Sequence, residues 1–175
     1  MVYRLNFMIK NKENGSEMAS IPGFTIDIPE QIIIDTVNIL KKHKNEIIYV
    51  SATGFSSPLA DYFCRKMLVL GYRCIKTNSY GVFDSNQIGG KLVIAISKSG
   101  ETESITRVID YSLKNKIDIL SFTSQQSNYI SRNSNINIPI LDDRTLDDRN
   151  TTVNYFYARV LAIFEYIMDR IKDDV

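Results

Sequence analysis

Five short apolar runs, Ile47 to Ala52, Cys74 to Thr77, Leu92 to Ser97, Ile117 to Thr123 and Ile136 to Leu141, recur along the chain with helical stretches between them. A run that is apolar at nearly every position reads as a strand buried on both faces. The intervening stretches carry apolar residues three and four apart instead. Leu59, Phe63, Met67 and Leu70 share one helical face. So do Ile105, Val108, Ile109 and Leu113, and later Val153, Phe156, Val160, Leu161, Phe164, Ile167 and Ile171. Pro29 at a first helical position, followed by Ile33, Val37 and Leu40, predicts a leading helix over 29–43. Strands alternating with helices predict an α/β three-layer sandwich, with a five-stranded parallel sheet in the flavodoxin-like order 2-1-3-4-5. Residues 1–28 differ: Tyr3, Leu5, Phe7 and Ile9 alternate, and Asn11 to Ser20 turns polar. They read as an N-terminal extension, a short strand and a linker, ahead of a domain over 29–175.

The bulk properties narrow the function by exclusion. At 175 residues the chain fits one domain with a core of its own. Twenty-one Lys and Arg against 20 Asp and Glu leave a formal charge of +1, with no dense basic stripe, so nothing electrostatic favours nucleic acid. Cys64 and Cys74 sit in apolar contexts and form neither a CxxC pair nor a disulfide framework. They read as buried bystanders in a reduced compartment. No apolar run approaches the roughly 20 residues that span a bilayer, and the N-terminus lacks a signal-peptide core. The expectation is a cytoplasmic protein with no membrane partner.

The chemistry is concentrated in two loops. Ser97-Lys98-Ser99-Gly100-Glu101-Thr102 closes the third apolar run and opens a helical pattern. In that context a strand delivers the loop to the sheet edge, glycine permits a tight turn, and the next helix presents unpaired N–H groups and the positive end of its dipole. Hydroxyls on Ser97, Ser99 and Thr102 can donate to phosphate oxygens, and Lys98 can add a full charge. An ordinary strand-to-helix turn with a serine cap accounts for less, since it calls for neither three hydroxyls nor a lysine. The first run ends similarly, in Thr53-Gly54-Phe55-Ser56-Ser57, with Ser56 or Ser57 as N-cap, Pro58 in the first turn and Gly71 past the helix end. In a 2-1-3-4-5 sheet the order reverses between the first and third strands, so both loops fall at the ligand-binding crevice.

Other candidates carry less. The GxGxxG fingerprint and the GxxxxGK loop followed by Ser or Thr are missing, so no dinucleotide cofactor is expected; a flavin-binding relative of the sheet would share the pattern, but nothing specifically supports it. His43, the single histidine, stands among Lys41, Lys42 and Lys44 and reads as a solvated helix end. Glu101 reads as turned from an anion toward a helix N-terminus or a cation, because a second negative charge beside the ligand is unfavourable. Asp142, Asp143, Asp147 and Asp148 mix with Arg144 and Arg149, which favours a self-paired loop over a metal site, and no metal is expected. Tyr80, Asp84, Asn86 and Gln87 are candidate sugar-hydroxyl contacts or plain turn residues.

Gly54-Phe55-Ser56-Ser57 and Ser97 to Thr102 resemble the two phosphosugar-gripping loops of the sugar isomerase (SIS) domain, and the resemblance extends over about residues 30–172. The helix end at Met67 to Cys74 and the strand Ile119-Leu120-Ser121-Phe122-Thr123 resemble, within that superfamily, the effector domain of RpiR-type transcriptional regulators. The resemblance implies that Ser56, Ser97, Ser99 and Thr102 hold a sugar phosphate, with Lys98, Ser57 and Gly100 adjoining. Ala52-Thr53 stands where relatives often carry a further glycine, so the first loop matches less closely than the second. Two further features depart from the family pattern. RpiR-type regulators begin with a helix-turn-helix reader, for which no room is visible before the leading helix, so DNA contact is expected only through a domain outside this chain. SIS isomerases use a placed Glu and often a His, neither of which is evident here. The implied function is noncatalytic sensing of a phosphorylated sugar by a homodimer or higher homo-oligomer, with a small phosphosugar isomerase or a pure oligomerisation module as alternatives.

Overall fold

A computed structural model of the chain describes residues 18–21, 24–79, 90–124, 127–141, 151 and 154–172. The apolar runs form a five-stranded parallel sheet of β3 (Ile47–Ala52), β4 (Arg73–Lys76), β5 (Gly90–Ser97), β6 (Asp118–Ser124) and β7 (Ile136–Ile140), in the spatial order β4-β3-β5-β6-β7. Counted within the sheet this is 2-1-3-4-5. Two further strands stand apart from it: β1 (Met18–Ile21) and β2 (Phe24–Pro29) pair as an antiparallel ribbon. The polar linker expected up to Ser20 therefore gives way to a strand from Met18 onward, because four residues are too few for alternation to stand out in the sequence. Ile28, at the end of β2, is already buried in the main core.

The helices cover the sheet on both sides, because the central strands β3, β5 and β6 are buried on both. Ile48, Val50 and Ala52 of β3, Leu92, Ile94 and Ile96 of β5, and Leu120 and Phe122 of β6 face α1 (Glu30–Lys42), α2 (Ser57–Val69) and α5 (Phe156–Lys172). The intervening Tyr49, Val93, Ala95 and Ile119 face α3 (Glu103–Lys114), as the period of two requires. Phe63 of α2 stacks on Phe164 of α5, centroids 3.5 Å apart, and meets Phe122 edge-on at 5.4 Å. Truncating such a ring costs about 3–5 kcal/mol. This cluster ties α2 and α5 to the middle of the sheet. Besides the β1–β2 ribbon, the sequence reading lacks the single turn α4 (Tyr129–Arg132), capped by Asn128 and Ser131 in a reciprocal capping box.

Two expectations are corrected here. His43 is not a solvated helix end: it is 4% exposed, with Nδ1 2.5 Å from Glu46 and Nε2 2.8 Å from Asp118, the first residue of β6. Lys42 reaches the same Asp118 carboxylate at 2.7 Å. The sheet register brings Asp118 under the end of α1, a pairing that local lysine context could not reveal. The cysteines are half-buried, not enclosed, and their thiols adjoin one another. The Cys74 thiol donates to the Met67 sulfur at 3.5 Å; its hydrogen bond with Cys64 and burial push it up, while the same bond holds Cys64 below the usual thiol range.

Candidate functional site

The site is built where the chain changes faces. Ala52 of β3 pairs with Ile96 of β5, so the loops that follow leave the same sheet edge on neighbouring strands, roughly 4.8 Å apart. The first loop passes into α2 on one face and the second into α3 on the other. Between them lies the switch-point crevice of an open α/β sheet.

Ser97, Ser99 and Thr102 come together in the second loop. Ser97 Oγ lies 2.9 Å from Thr102 Oγ1, and Ser99 Oγ lies 3.4 Å from the same hydroxyl. The backbone N–H of Gly100 donates to Ser97 Oγ at 3.1 Å and that of Glu101 to Ser99 Oγ at 3.2 Å. Thr102 occupies the N-cap position of α3, yet its side chain makes no capping bond and faces the two serines instead. The three hydroxyls can therefore turn their hydrogens toward an oxyanion, beside the positive end of the α3 dipole. Lys98 is 7% exposed and sits inside this loop. In the first loop Ser56 is buried at the N-cap of α2, also without a side-chain capping bond, and Ser57 is the first residue of the helix.

A part of the site that the sequence reading missed holds the second loop in shape. Gly100 adopts φ +66°, and a Cβ there would fall 1.9 Å from the buried Asn128 Oδ1. Only glycine fits so close against that side chain. Ile130 N donates to Gly100 O at 3.0 Å, and Ser124 N donates to Lys98 O at 3.2 Å. Tyr129 N donates to Glu101 Oε1 at 2.6 Å, which places the Glu101 carboxylate on the first N–H of α4. The Tyr129 hydroxyl in turn bonds Asp110, which raises its pKa above the usual phenol range. The sequence signal for this clamp was the Asn-Tyr-Ile-Ser capping pattern at 128–131. Ser121 and Thr123 have a separate role, their buried hydroxyls donating to Asn137 Oδ1 at 2.8 and 2.9 Å.

The remaining sequence candidates lie elsewhere. Tyr80, Asp84, Asn86 and Gln87 fall outside the described residues, as do Tyr3 to Ile9 and the segment from Asp142 to Arg149. Among the described residues no group of three or more His, Cys, Asp or Glu is placed to hold a metal ion, and no helix is long and apolar enough to cross a membrane.

Comparison with known proteins gives concordant results. No curated protein matches the chain by sequence. Among solved structures, a Listeria monocytogenes protein with a provisional sugar-phosphate isomerase assignment superposes with TM-score 0.72 at 18% identity, over 83% of this chain and 78% of that one. The Vibrio vulnificus NanR protein, complexed with ManNAc-6P, gives 0.70 at 19% identity over 84% of this chain, which spans 55% of NanR. The sugar isomerase domain of the RpiR transcription factor from Sphaerobacter thermophilus gives 0.69 at 13% identity, over 84% and 80% of the two chains. At these identities the likeness establishes the fold. The family model of the SIS domain matches residues 40–162, which span both hydroxyl loops, the crevice between them and most of the sheet, and the chain belongs to the SIS-domain family.

Proposed function

We propose that this domain senses a phosphorylated sugar without transforming it, as the effector domain of an RpiR-type transcriptional regulator. The phosphate would lie against Ser97, Ser99 and Thr102 in the second loop, with Ser56, Ser57, Gly100 and Lys98 around it. The observation that carries the reading is the clustering of three hydroxyls at the start of α3, while the carboxylate of the same loop is engaged elsewhere. Glu101 accepts from Tyr129 N, and His43 is at the opposite edge of the sheet against Asp118. Isomerisation asks for a base beside the sugar carbons, and in this reading Glu101 and His43 are both engaged away from the ligand. Support also comes from NanR, a protein of similar fold seen in complex with ManNAc-6P. In this reading the domain is cytoplasmic, works as a homodimer or higher homo-oligomer, and meets DNA through a helix-turn-helix reader.

Thermal unfolding with a panel of sugar phosphates tests the proposal. A ligand at a hundredfold excess over its Kd contributes about 2.7 kcal/mol, a Tm rise on the order of 5–10 °C for a domain of this size. The unphosphorylated sugar should give none. Ser99→Ala should weaken the same ligand by about 1.5–3 kcal/mol with the fold intact, since it removes a hydrogen bond to a charged group. No shift across the panel would leave the oligomerisation module as the better reading. NMR of aldose and ketose phosphates checks turnover, and interconversion abolished by Glu101→Gln would make the domain an isomerase.

A further inference from the structure

The first loop carries a side chain that phosphate recognition does not use. Phe55 stands between Gly54 and the buried Ser56, and it is 63% exposed. Gly54 adopts φ +54°, which turns the chain sharply after β3, and Ser56 N closes the 3-10 turn on Thr53 O at 3.1 Å. The turn thus buries a serine and leaves the neighbouring phenyl ring exposed in the loop beside the second one. The ring is also supported. Its centroid lies 6.3 Å from Tyr157 in the first turn of α5, and Tyr157 meets the fully buried Phe156 edge-on at 5.4 Å. Three rings run in contact from the core to the surface, so Phe55 is mounted on a rigid base.

A large exposed aromatic that adjoins a ligand crevice is informative in a way that a scattered one is not. Small-molecule sites combine a few fixed polar groups with apolar and aromatic walls. Here the second loop gathers the polar groups, and the first presents an exposed aromatic ring. A sugar phosphate has a matching division: one charged end, and a ring whose axial C–H groups form an apolar face. Stacking such a face needs a flat partner and a flat ligand. An open-chain sugar offers no flat face.

Resting on the reading of this crevice as a phosphosugar site, we propose that Phe55, backed by Tyr157, is a specificity-determining residue that stacks on the apolar face of the sugar, so that the domain selects the closed-ring form of a hexose phosphate. Phosphate affinity and ring selectivity then reside in different loops.

Titration calorimetry on the full chain tests this with glucose, mannose, galactose and glucosamine 6-phosphates. The tightest of the four is compared with the alditol phosphate obtained by reducing it and with inorganic phosphate. Wild type should prefer the ring form to its alditol. Phe55→Ala should lose most of that preference, with a fall of about three- to tenfold for the ring form, as expected for one aromatic contact, and no change for inorganic phosphate. Phe55→Tyr should restore it. Because Phe55 is exposed, its alanine variant should melt with wild type. An unchanged ring-to-alditol ratio in Phe55→Ala overturns the proposal, and so does an equal loss for all three ligands, which would mean a disturbed loop. A drop in molar mass by light scattering with selectivity intact also overturns it and assigns the ring to contact between copies of the chain. Absence of binding by wild type to every phosphate compound removes the phosphosugar reading itself, an outcome distinct from those.

Discussion

The two edges of the sheet each hold a polar cluster, and they differ in how their charges are met. At the amino edge His43 sits between Glu46 and Asp118, and Lys42 joins the same Asp118 carboxylate. Cations and anions answer one another, and the cluster is complete. At the carboxyl edge the second loop gathers three hydroxyls, a helix start and an enclosed lysine, while its single carboxylate is drawn away to Tyr129 N. A titratable group in a polar cluster does not mark function. The carboxyl-end cluster differs in that its three hydroxyls face one another across the loop and its carboxylate bonds a backbone N–H outside it. That distinction reverses the usual ranking, in which the single histidine would attract attention first.

The comparison can be broken most severely at Gly100. Gly100→Ala places a methyl group against the Asn128 side chain in a left-handed conformation. The strain and overpacking should cost about 2–4 kcal/mol and remove detectable sugar-phosphate binding, as denaturant unfolding and calorimetry would report. Wild-type stability and affinity in this variant would mean that the Asn128 clamp does not shape the loop.

His43→Ala probes the other edge. It deletes hydrogen bonds to two carboxylates and should cost about 1.5–3 kcal/mol in stability, with sugar-phosphate Kd unchanged. A fall in affinity to match the fall in stability would show the two edges to be coupled.

The smallest effect is a pH dependence confined to the amino edge. Burial pushes the Asp118 carboxyl up, but hydrogen bonds from Lys42 and His43 outweigh it and hold the group below the usual carboxylate range. A carboxyl lowered on folding contributes stability above its unfolded value, about pH 3.9, and loses that contribution as pH falls through the folded value. Asp118→Asn should therefore flatten the acid limb of stability from about pH 4 downward and leave the ligand affinity at neutral pH untouched. An acid limb identical to wild type would show that the amino-edge ion pairs contribute nothing to folding.

Much of the fold was legible because burial on both faces leaves a mark that survives in one dimension. Strands such as Leu92 to Ile96 must be apolar at every position, and the helices between them must be apolar on one side. The hydroxyl-rich character of the second loop was plain in the sequence for a related reason, its place between a buried strand and a helix, and the structure brings its three hydroxyls together. The orientation of Glu101 followed from charge alone. What escaped were relations made by register. Glu101 and Tyr129 are 28 residues apart, and His43 and Asp118 are 75 apart. The short α4 turn was lost between longer signals, though its capping pair is visible once its role is known.

By itself the sequence determined the alternation of strands and helices, the place where the chain changes faces and the chemical character of the loops there, because hydrophobic periodicity and turn chemistry are local properties. Tertiary structure alone decided which partners the polar residues meet. That depends on what lies opposite in space: Asp118 beneath His43, Asn128 against Gly100, Tyr157 behind Phe55.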